Sequence, residues 1–170
     1  MKWNLNRIIF IALFMAINFI LTFIHIPVGP SMLHLGTLAL FITALFLKPF
    51  DAALACGLGM FLFDLFGGYA NYAIPTLIIK GLMAFVVALI VRKGRPSCES
   101  VGMNLFAYII GAIISLVGYY FVNAFFAGNF IAPLSRIPGS LLTSVIGIII
   151  SLPVGVILYK RLKPLMKNYN

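Results

Sequence analysis

The stretch LHLGTLALFITALFLKPFDAALACGLGMFLFDLF (Leu33–Phe66) decides the fold, because it is apolar almost throughout and is interrupted near its middle by Lys48-Pro49. A bilayer-spanning helix needs about 20 apolar residues, so this stretch is too long for one span. Proline disfavours the helical conformation of the residue before it, which predicts a helix end at Lys48. We therefore expect two short spans, 33–47 and 50–66. Since neither crosses the bilayer comfortably alone, both should be packed inside a bundle.

Four longer apolar segments flank this pair. The first is 19 residues long, which exceeds the roughly 7–15 residues of a signal-peptide core, and no A-x-A cleavage site follows it, so it reads as a retained span. The remaining predicted spans are 8–26, 72–91, 101–127 and 137–159. The sequence thus predicts an all-α membrane protein, a six-transmembrane-helix bundle that forms a single integral membrane domain over residues 1–170.

Composition and charge agree with this class. Of the 170 residues, 63% are hydrophobic and only 9% are charged, whereas a soluble domain carries roughly 25% charged residues. With six spans and the N-terminus inside, ten of the twelve Lys and Arg residues fall on the cytoplasmic side and Arg136 alone falls outside. Five spans would place seven basic residues outside. We therefore expect both termini to be cytoplasmic and the loop Pro27–His34 to be external.

The motifs of common enzyme and metal sites are absent from the sequence. There is no P-loop, no H-E-x-x-H and no G-x-S-x-G. His25 and His34 are a poor metal pair, and Cys56 and Cys98 lie in different environments. The sequence predicts no metal, no bound cofactor, no nucleic-acid partner and no enzymatic activity of its own.

Two ionisable residues stand out inside the spans, Asp64 and Lys80. Such residues are costly in the bilayer and usually face a bundle interior or a cavity. A hairpin of a few residues joins their helices, so the two side chains should be neighbours. They either form a buried ion pair that locks the hairpin, or contact a ligand, or do both.

Further polar side chains are expected in the same outer half of the bundle. Tyr72, Thr76 and Lys80 share a helix face at i, i+4 and i+8, and Tyr119 and Asn123 share another. The tyrosines could stack on a flat ring or form an interfacial aromatic belt, while Gly147 and Ser151 of the last span fit close helix packing. A polar pocket above an apolar floor predicts a binding protein, with the loop Pro27–His34 as a lid. The candidate substrate-binding residues are His34, Asp64, Tyr69, Tyr72, Thr76, Lys80, Tyr119, Asn123, Arg136 and Ser140, with Tyr120 as a further stacking candidate.

Ala12 and Ala16 form a different kind of surface on the first span. They lie four residues apart and make a small-xxx-small face with no polar side chain, which lets another helix approach closely. This pattern predicts a docking surface for a membrane partner.

Several of these segments resemble the S components of energy-coupling factor (ECF) vitamin transporters. The resemblance is carried by His34–Phe85, in particular FDLFGGY (Phe63–Tyr69) and PTLIIKG (Pro75–Gly81), and by SLLTSVIGIIISLPVGVILYKRL (Ser140–Leu162). The resemblance is strongest to the subgroup associated with pyridoxine, hydroxymethylpyrimidine and related ring compounds.

The resemblance implies a high-affinity substrate-binding subunit in the plasma membrane of a prokaryote. Such a subunit docks through the Ala12 and Ala16 face onto a transmembrane coupling protein with two cytoplasmic ATPases, which bind the ATP, and topples in the bilayer to release its substrate. A pyridoxine- or hydroxymethylpyrimidine-type vitamin is favoured, and positive charge at Lys80 and Arg136 would also suit pantothenate. The alternatives are a stand-alone homo-oligomeric channel or carrier, and a small membrane enzyme.

Overall fold

Six α-helices and one β-hairpin make up the computed structural model, which describes residues 4–28, 31–93 and 100–162. In chain order the elements are α1 (Leu5–Phe23), β1 (His25–Val28), β2 (Ser31–His34), α2 (Gly36–Phe46), α3 (Pro49–Phe66), α4 (Ala70–Lys93), α5 (Val101–Ala127), a 3-10 helix (Ala132–Arg136) and α6 (Ile137–Leu162).

Five of the described helices are long and apolar enough to cross a membrane, namely α1, α3, α4, α5 and α6 together with its 3-10 turn. The sixth, α2, has only 11 residues and is shorter than a span. The predicted multi-helix membrane bundle is confirmed in this form. That α2 also crosses the bilayer, giving six spans, stays a prediction.

The break at Lys48-Pro49 lies where the sequence predicts it. Helix α2 ends at Phe46, the N–H of Leu47 donates to the carbonyl of Thr43, and Pro49 opens α3. Proline suits the first position of a helix because its missing N–H has no partner there in any case. The predicted boundary at Phe66 and the whole of the predicted span 101–127 agree with α3 and α5.

The prediction is wrong between Ile24 and Leu35. We expected the first span to run to residue 26, a loop to follow, and the second span to begin at Leu33. Instead α1 ends at Phe23 and residues 25–28 pair with 31–34 in an antiparallel hairpin, with His25 opposite His34. Pro27 disfavours helix at the residue before it, and β-branched residues fit an extended strand, so the helix stops early.

Helix α2 forms the centre of the bundle. Leu40, Phe41, Ala44 and Leu45 are fully buried, and α2 packs against α1, α3, α4 and α6. Phe41 stacks on Tyr108 of α5 with ring centroids 4.2 Å apart. The expectation that this short helix lies inside the bundle agrees with its burial.

Charged side chains tie the helices together at the end of the bundle away from the hairpin. The Nε of Arg7 on α1 donates to both carboxylate oxygens of Asp51 on α3, at 3.1 and 2.9 Å. Both residues are buried, 6% and 0% exposed. Arg92 of α4 donates to the carbonyls of Phe46 and Leu47 and so caps α2. Arg7 and Asp51 therefore join Asp64 and Lys80 as ionisable residues within spanning helices. No local sequence pattern indicates this pair, because its two members lie 44 positions apart.

Candidate binding cavity

A cavity of about 560 Å³ opens at the hairpin end of the bundle. Its size falls within the range of roughly 300–1,000 Å³ that is typical of small-molecule sites. Both strands, all the long helices and the start of α2 contribute to its wall. All ten sequence-predicted candidates line it, namely His34, Asp64, Tyr69, Tyr72, Thr76, Lys80, Tyr119, Asn123, Arg136 and Ser140. Tyr120 does not line the cavity, and its hydroxyl donates to the carbonyl of Phe130 at a distance of 2.9 Å.

Lys80 is fixed deep in the cavity by residues of α5. It is 4% exposed, and its Nζ donates to the Ser115 hydroxyl at 3.1 Å. The same ammonium lies 5.4 Å from the centroid of the Tyr119 ring, within the range of a cation–π interaction. Lys80 thus occupies one position. Because an ammonium carries three N–H donors and Ser115 accepts from one, further donors are available to a ligand.

Asp64 faces the same space from α3. It is 7% exposed, and its carboxylate lies near Thr76 and Lys80 of α4. Its Oδ2 is buried and accepts no hydrogen bond from any residue that the structure describes. Among the described residues, no ion pair within 4.0 Å joins Asp64 to Lys80. The alternative of a direct ion pair locking the α3–α4 hairpin is therefore not what the structure shows.

Two hydrogen bonds join α4 to α5 along the cavity wall. The Tyr72 hydroxyl donates to Oδ1 of Asn123 at 2.7 Å, and the hydroxyls of Thr76 and Tyr119 are 2.9 Å apart. The i, i+4 spacings on each helix place these partners at matching heights. Both tyrosine rings therefore face a neighbouring helix and the cavity, which disfavours the aromatic-belt alternative for these two.

His34 lies at the end of β2, beside the entrance to α2. Its Nδ1 accepts a hydrogen bond from the backbone N–H of Gly36 at 3.1 Å. Burial lowers the pKa of His34 to about 3, and the positive charges of Lys80 and His25 lower it further. The imidazole is consequently neutral at physiological pH, with its proton on Nε2, and it brings a neutral donor to the cavity.

The hairpin is attached to α6 on the far side of the cavity. The Ser31 hydroxyl donates to the carbonyl of Arg136 at 3.0 Å, and the Thr143 hydroxyl lies 3.2 Å from the carbonyl of Met32. The predicted lid of residues 27–34 is thus largely a β-hairpin, and its strands form part of the cavity wall. Arg136 and Ser140 line the same side and are half-buried.

Several residues of the cavity wall are not among the ten candidates predicted from the sequence. Ser115 lies four residues before Tyr119, so the same helical spacing could have found it. Phe63 carries no polar signal, and its contacts with Tyr69 and His25 depend on the hairpin. The other wall residues beyond the predicted ten are Thr22, His25, Pro27, Ser31, Met32, Thr37, Met60, Thr143 and Ser144.

Below Lys80 the residues of α4 that face the core are apolar. Met83, Ala84 and Val87 of α4 are fully buried, and Gly111 of α5 faces Val87 so closely that an added Cβ would meet its side chain at 2.6 Å. Other polar side chains are buried away from the cavity wall, among them Asn18, Thr43, Asn104, Tyr108, Ser151 and the Arg7–Asp51 pair. The polar wall is therefore confined to the hairpin end, and the arrangement is that of a one-sided cavity rather than a continuous polar path.

The residues that the structure describes include no group of three or more His, Cys, Asp or Glu side chains that could hold a metal ion. Cys56 is buried, and Cys98 lies outside the described residues. The cavity instead offers hydrogen-bonding groups and aromatic rings, which suit an organic molecule.

A helix bundle with a polar cavity at one end is typical of a protein that binds a small molecule. Comparison with known families agrees with this class, because the model of the ECF-type riboflavin transporter S component family matches residues 2–161. The chain belongs to this family, whose members are substrate-binding subunits of vitamin transporters, not enzymes, and work with a membrane coupling subunit and ATPases. The family and the apolar helices together make it a multi-pass membrane protein.

The chain is also similar to a protein of Pyrococcus woesei described as an uncharacterized protein in the gap 3' region. The two are 30% identical over 144 residues, which cover 85% of this chain and 93% of the relative. The similarity therefore extends over most of both chains.

Proposed function

We propose that this protein captures a flat heteroaromatic vitamin, riboflavin first among them, for uptake by an ECF transporter. The observation that carries the proposal is the cavity itself, which combines two ionisable side chains, Asp64 and Lys80, with aromatic walls. The sequence resemblance favours a pyridoxine- or hydroxymethylpyrimidine-type compound, whereas the matching family model bears the name of riboflavin. Riboflavin, pyridoxine and hydroxymethylpyrimidine all contain a planar ring system that carries nitrogen and oxygen at its edges.

The aromatic side chains support a flat ligand. Phe63 and Tyr69 lie with their ring planes 24° apart and centroids at 6.0 Å, and both line the cavity. Tyr72 and Tyr119 stand on the wall formed by α4 and α5. Aromatic rings stabilise a stacked planar ligand through burial and offset stacking. Pantothenate, which the basic residues also suit, has no ring and would not use this feature.

The partners proposed for this chain are the membrane coupling subunit and two ATPases of the ECF module. Ala12 and Ala16 support this proposal, because both are exposed on α1 while Ile11 and Phe14 face the core. We further propose that both termini are cytoplasmic in a prokaryotic plasma membrane and that the cavity opens outward. The excess of basic residues at the predicted cytoplasmic loops supports this orientation.

Purified protein in detergent provides the test of the substrate. Mass spectrometry should find the carried-through vitamin, and titration with riboflavin, pyridoxine, hydroxymethylpyrimidine and pantothenate should show tight binding of a ring compound, with riboflavin the tightest. Lys80→Met should weaken that binding by roughly tenfold to a hundredfold through loss of a charged hydrogen bond. Tight binding of pantothenate alone would refute the proposal.

A stand-alone homo-oligomeric channel or carrier is the second candidate. It requires a continuous polar path, and the buried apolar residues below Lys80 oppose it. Co-purification separates the two candidates: the S component should bring the coupling subunit and ATPases with it, whereas a channel should associate only with itself.

A further inference from the structure

Two of the charged side chains that line the cavity are Asp64 and Lys80, and the protein satisfies their hydrogen-bonding groups to different extents. Lys80 is already held by Ser115 and Tyr119. Oδ2 of Asp64 is buried and unpartnered among the described residues. A buried carboxylate oxygen without a donor lowers stability, so native structures contain few of them and each calls for an explanation.

The two groups are close enough to interact electrostatically but do not form a direct ion pair. The positive charge of Lys80 acts on Asp64, yet among the described residues no salt bridge within 4.0 Å joins them. Two side chains on neighbouring helices could approach further if pairing were their whole role. Ser115 instead holds the ammonium towards α5, while Asp64 lines the cavity from α3, so that its carboxylate can accept a hydrogen bond from a ligand.

We propose that Asp64 selects ligands that bear an N–H donor on the ring edge, next to an acceptor that Lys80 can serve. This inference rests on the proposed function and deepens it, because it names the chemical edge that the site recognises. An imide or lactam, with N–H beside C=O, fits the pair. So does an amidine-like edge, with an amino group beside a ring nitrogen. Riboflavin carries the first kind of edge and aminopyrimidines carry the second.

Lys80 and Asp64 divide the recognition between them. The Asp64 carboxylate accepts the ligand N–H, and the Lys80 ammonium donates to the adjacent oxygen or nitrogen. Because both side chains are more than nine-tenths buried, each hydrogen bond forms away from bulk water. A ligand that lacks the N–H leaves the carboxylate oxygen unsatisfied, which is how a polar site rejects a near-isosteric molecule.

A binding cycle between one substitution and one ligand change tests this assignment. Riboflavin and N3-methylriboflavin are titrated by flavin fluorescence against the wild-type protein and the isosteric Asp64→Asn variant. Methylation removes the imide N–H. In the wild type it should weaken binding by roughly tenfold to a hundredfold. In Asp64→Asn the penalty should shrink by at least about tenfold, because the charged acceptor is already gone.

Ser140→Ala, which changes a cavity residue of α6, is the matched control. In Ser140→Ala, methylation of riboflavin at N3 should weaken binding by the same factor as in the wild type, even where the variant binds riboflavin itself more weakly. Thermal melting of each variant without ligand checks that it is folded, and Asp64→Ala replaces Asp64→Asn if the latter does not fold. An equal methylation penalty in the wild type and the Asp64 variant, or none in the wild type, overturns the inference.

The same measurements distinguish a failure of this inference from a failure of the riboflavin proposal. If the wild-type protein does not bind riboflavin, the riboflavin proposal fails, and the same cycle is run with hydroxymethylpyrimidine and the derivative whose amino group carries two methyl groups. Loss of binding on methylation in the wild type but not in the Asp64 variant supports the inference. A protein that binds neither ring compound overturns it.

Discussion

At the scale of single residues, the buried pair Arg7–Asp51 shows how charge can be structural in this bundle. The guanidinium contacts both carboxylate oxygens, and Asp51 is also in the first turn of α3, where a negative charge is favourable. The pair joins residues 44 positions apart in sequence. It differs from Asp64, which faces a cavity and keeps an oxygen without a protein partner among the described residues. The two aspartates on one helix thus have separate roles.

Arg7→Met should therefore destabilise the protein severely. Removing one partner strands a buried charge, and the expected loss in the free energy of unfolding is about 3–5 kcal/mol, while Arg7→Met combined with Asp51→Leu should recover most of it. Denaturant unfolding in mixed micelles measures both. Lys160→Met, at an exposed position near the end of α6, is the control and should change stability by less than about 1 kcal/mol. A small loss in Arg7→Met would show that the pair is not structural.

At the scale of elements, α1 has two faces with different uses. Arg7, Ile11, Phe14, Asn18 and Thr22 are buried against the bundle. Gly59 of α3 allows this close packing, since a Cβ there would lie 2.6 Å from the carbonyl oxygen of Met15. Ala12 and Ala16 are exposed on the other side. Small residues on an exposed face permit a second helix to approach as closely as α3 does on the first.

Replacing Ala12 and Ala16 together by Trp should abolish assembly with the coupling subunit while leaving vitamin binding intact. The indole rings would hold a partner helix away from the α1 backbone without entering the core. Co-purification measures assembly, and ligand titration measures binding. Ile113→Trp on α5, where the side chain is 51% exposed, is the matched control and should assemble normally. Loss of binding together with assembly would mean that this face serves core packing instead.

At the scale of the whole molecule, the cavity lies at one end of the bundle. The charged side chains that connect neighbouring helices lie at the other end. The hairpin, Asp64 and Arg136 line the cavity end, whereas Arg7, Asp51 and Arg92 hold the opposite end. An importer subunit that loads from outside needs the first end to face the exterior. The orientation of the chain in the bilayer is therefore the property that links this asymmetry to transport.

Cysteines introduced at Ser31 and Asn168 test that orientation, in a background with Cys56 and Cys98 replaced. An impermeant thiol reagent should label position 31 in intact cells and position 168 only after permeabilisation. Ser31 lies on the hairpin, and Asn168 belongs to the basic C-terminal tail, outside the described residues. Labelling of both from the same side would exclude six spans with cytoplasmic termini.

The sequence by itself determined the membrane class, the helix break at Lys48-Pro49 and the ten candidates that line the cavity. These follow from local properties, namely apolar length, proline geometry and the cost of placing Asp64 or Lys80 in a span. Only the tertiary structure decided that residues 25–28 pair with 31–34, that Arg7 pairs with Asp51, and that Lys80 contacts Ser115 rather than Asp64. Each of these depends on contacts between segments distant in sequence, and no periodicity or composition within one segment specifies which helix faces will meet.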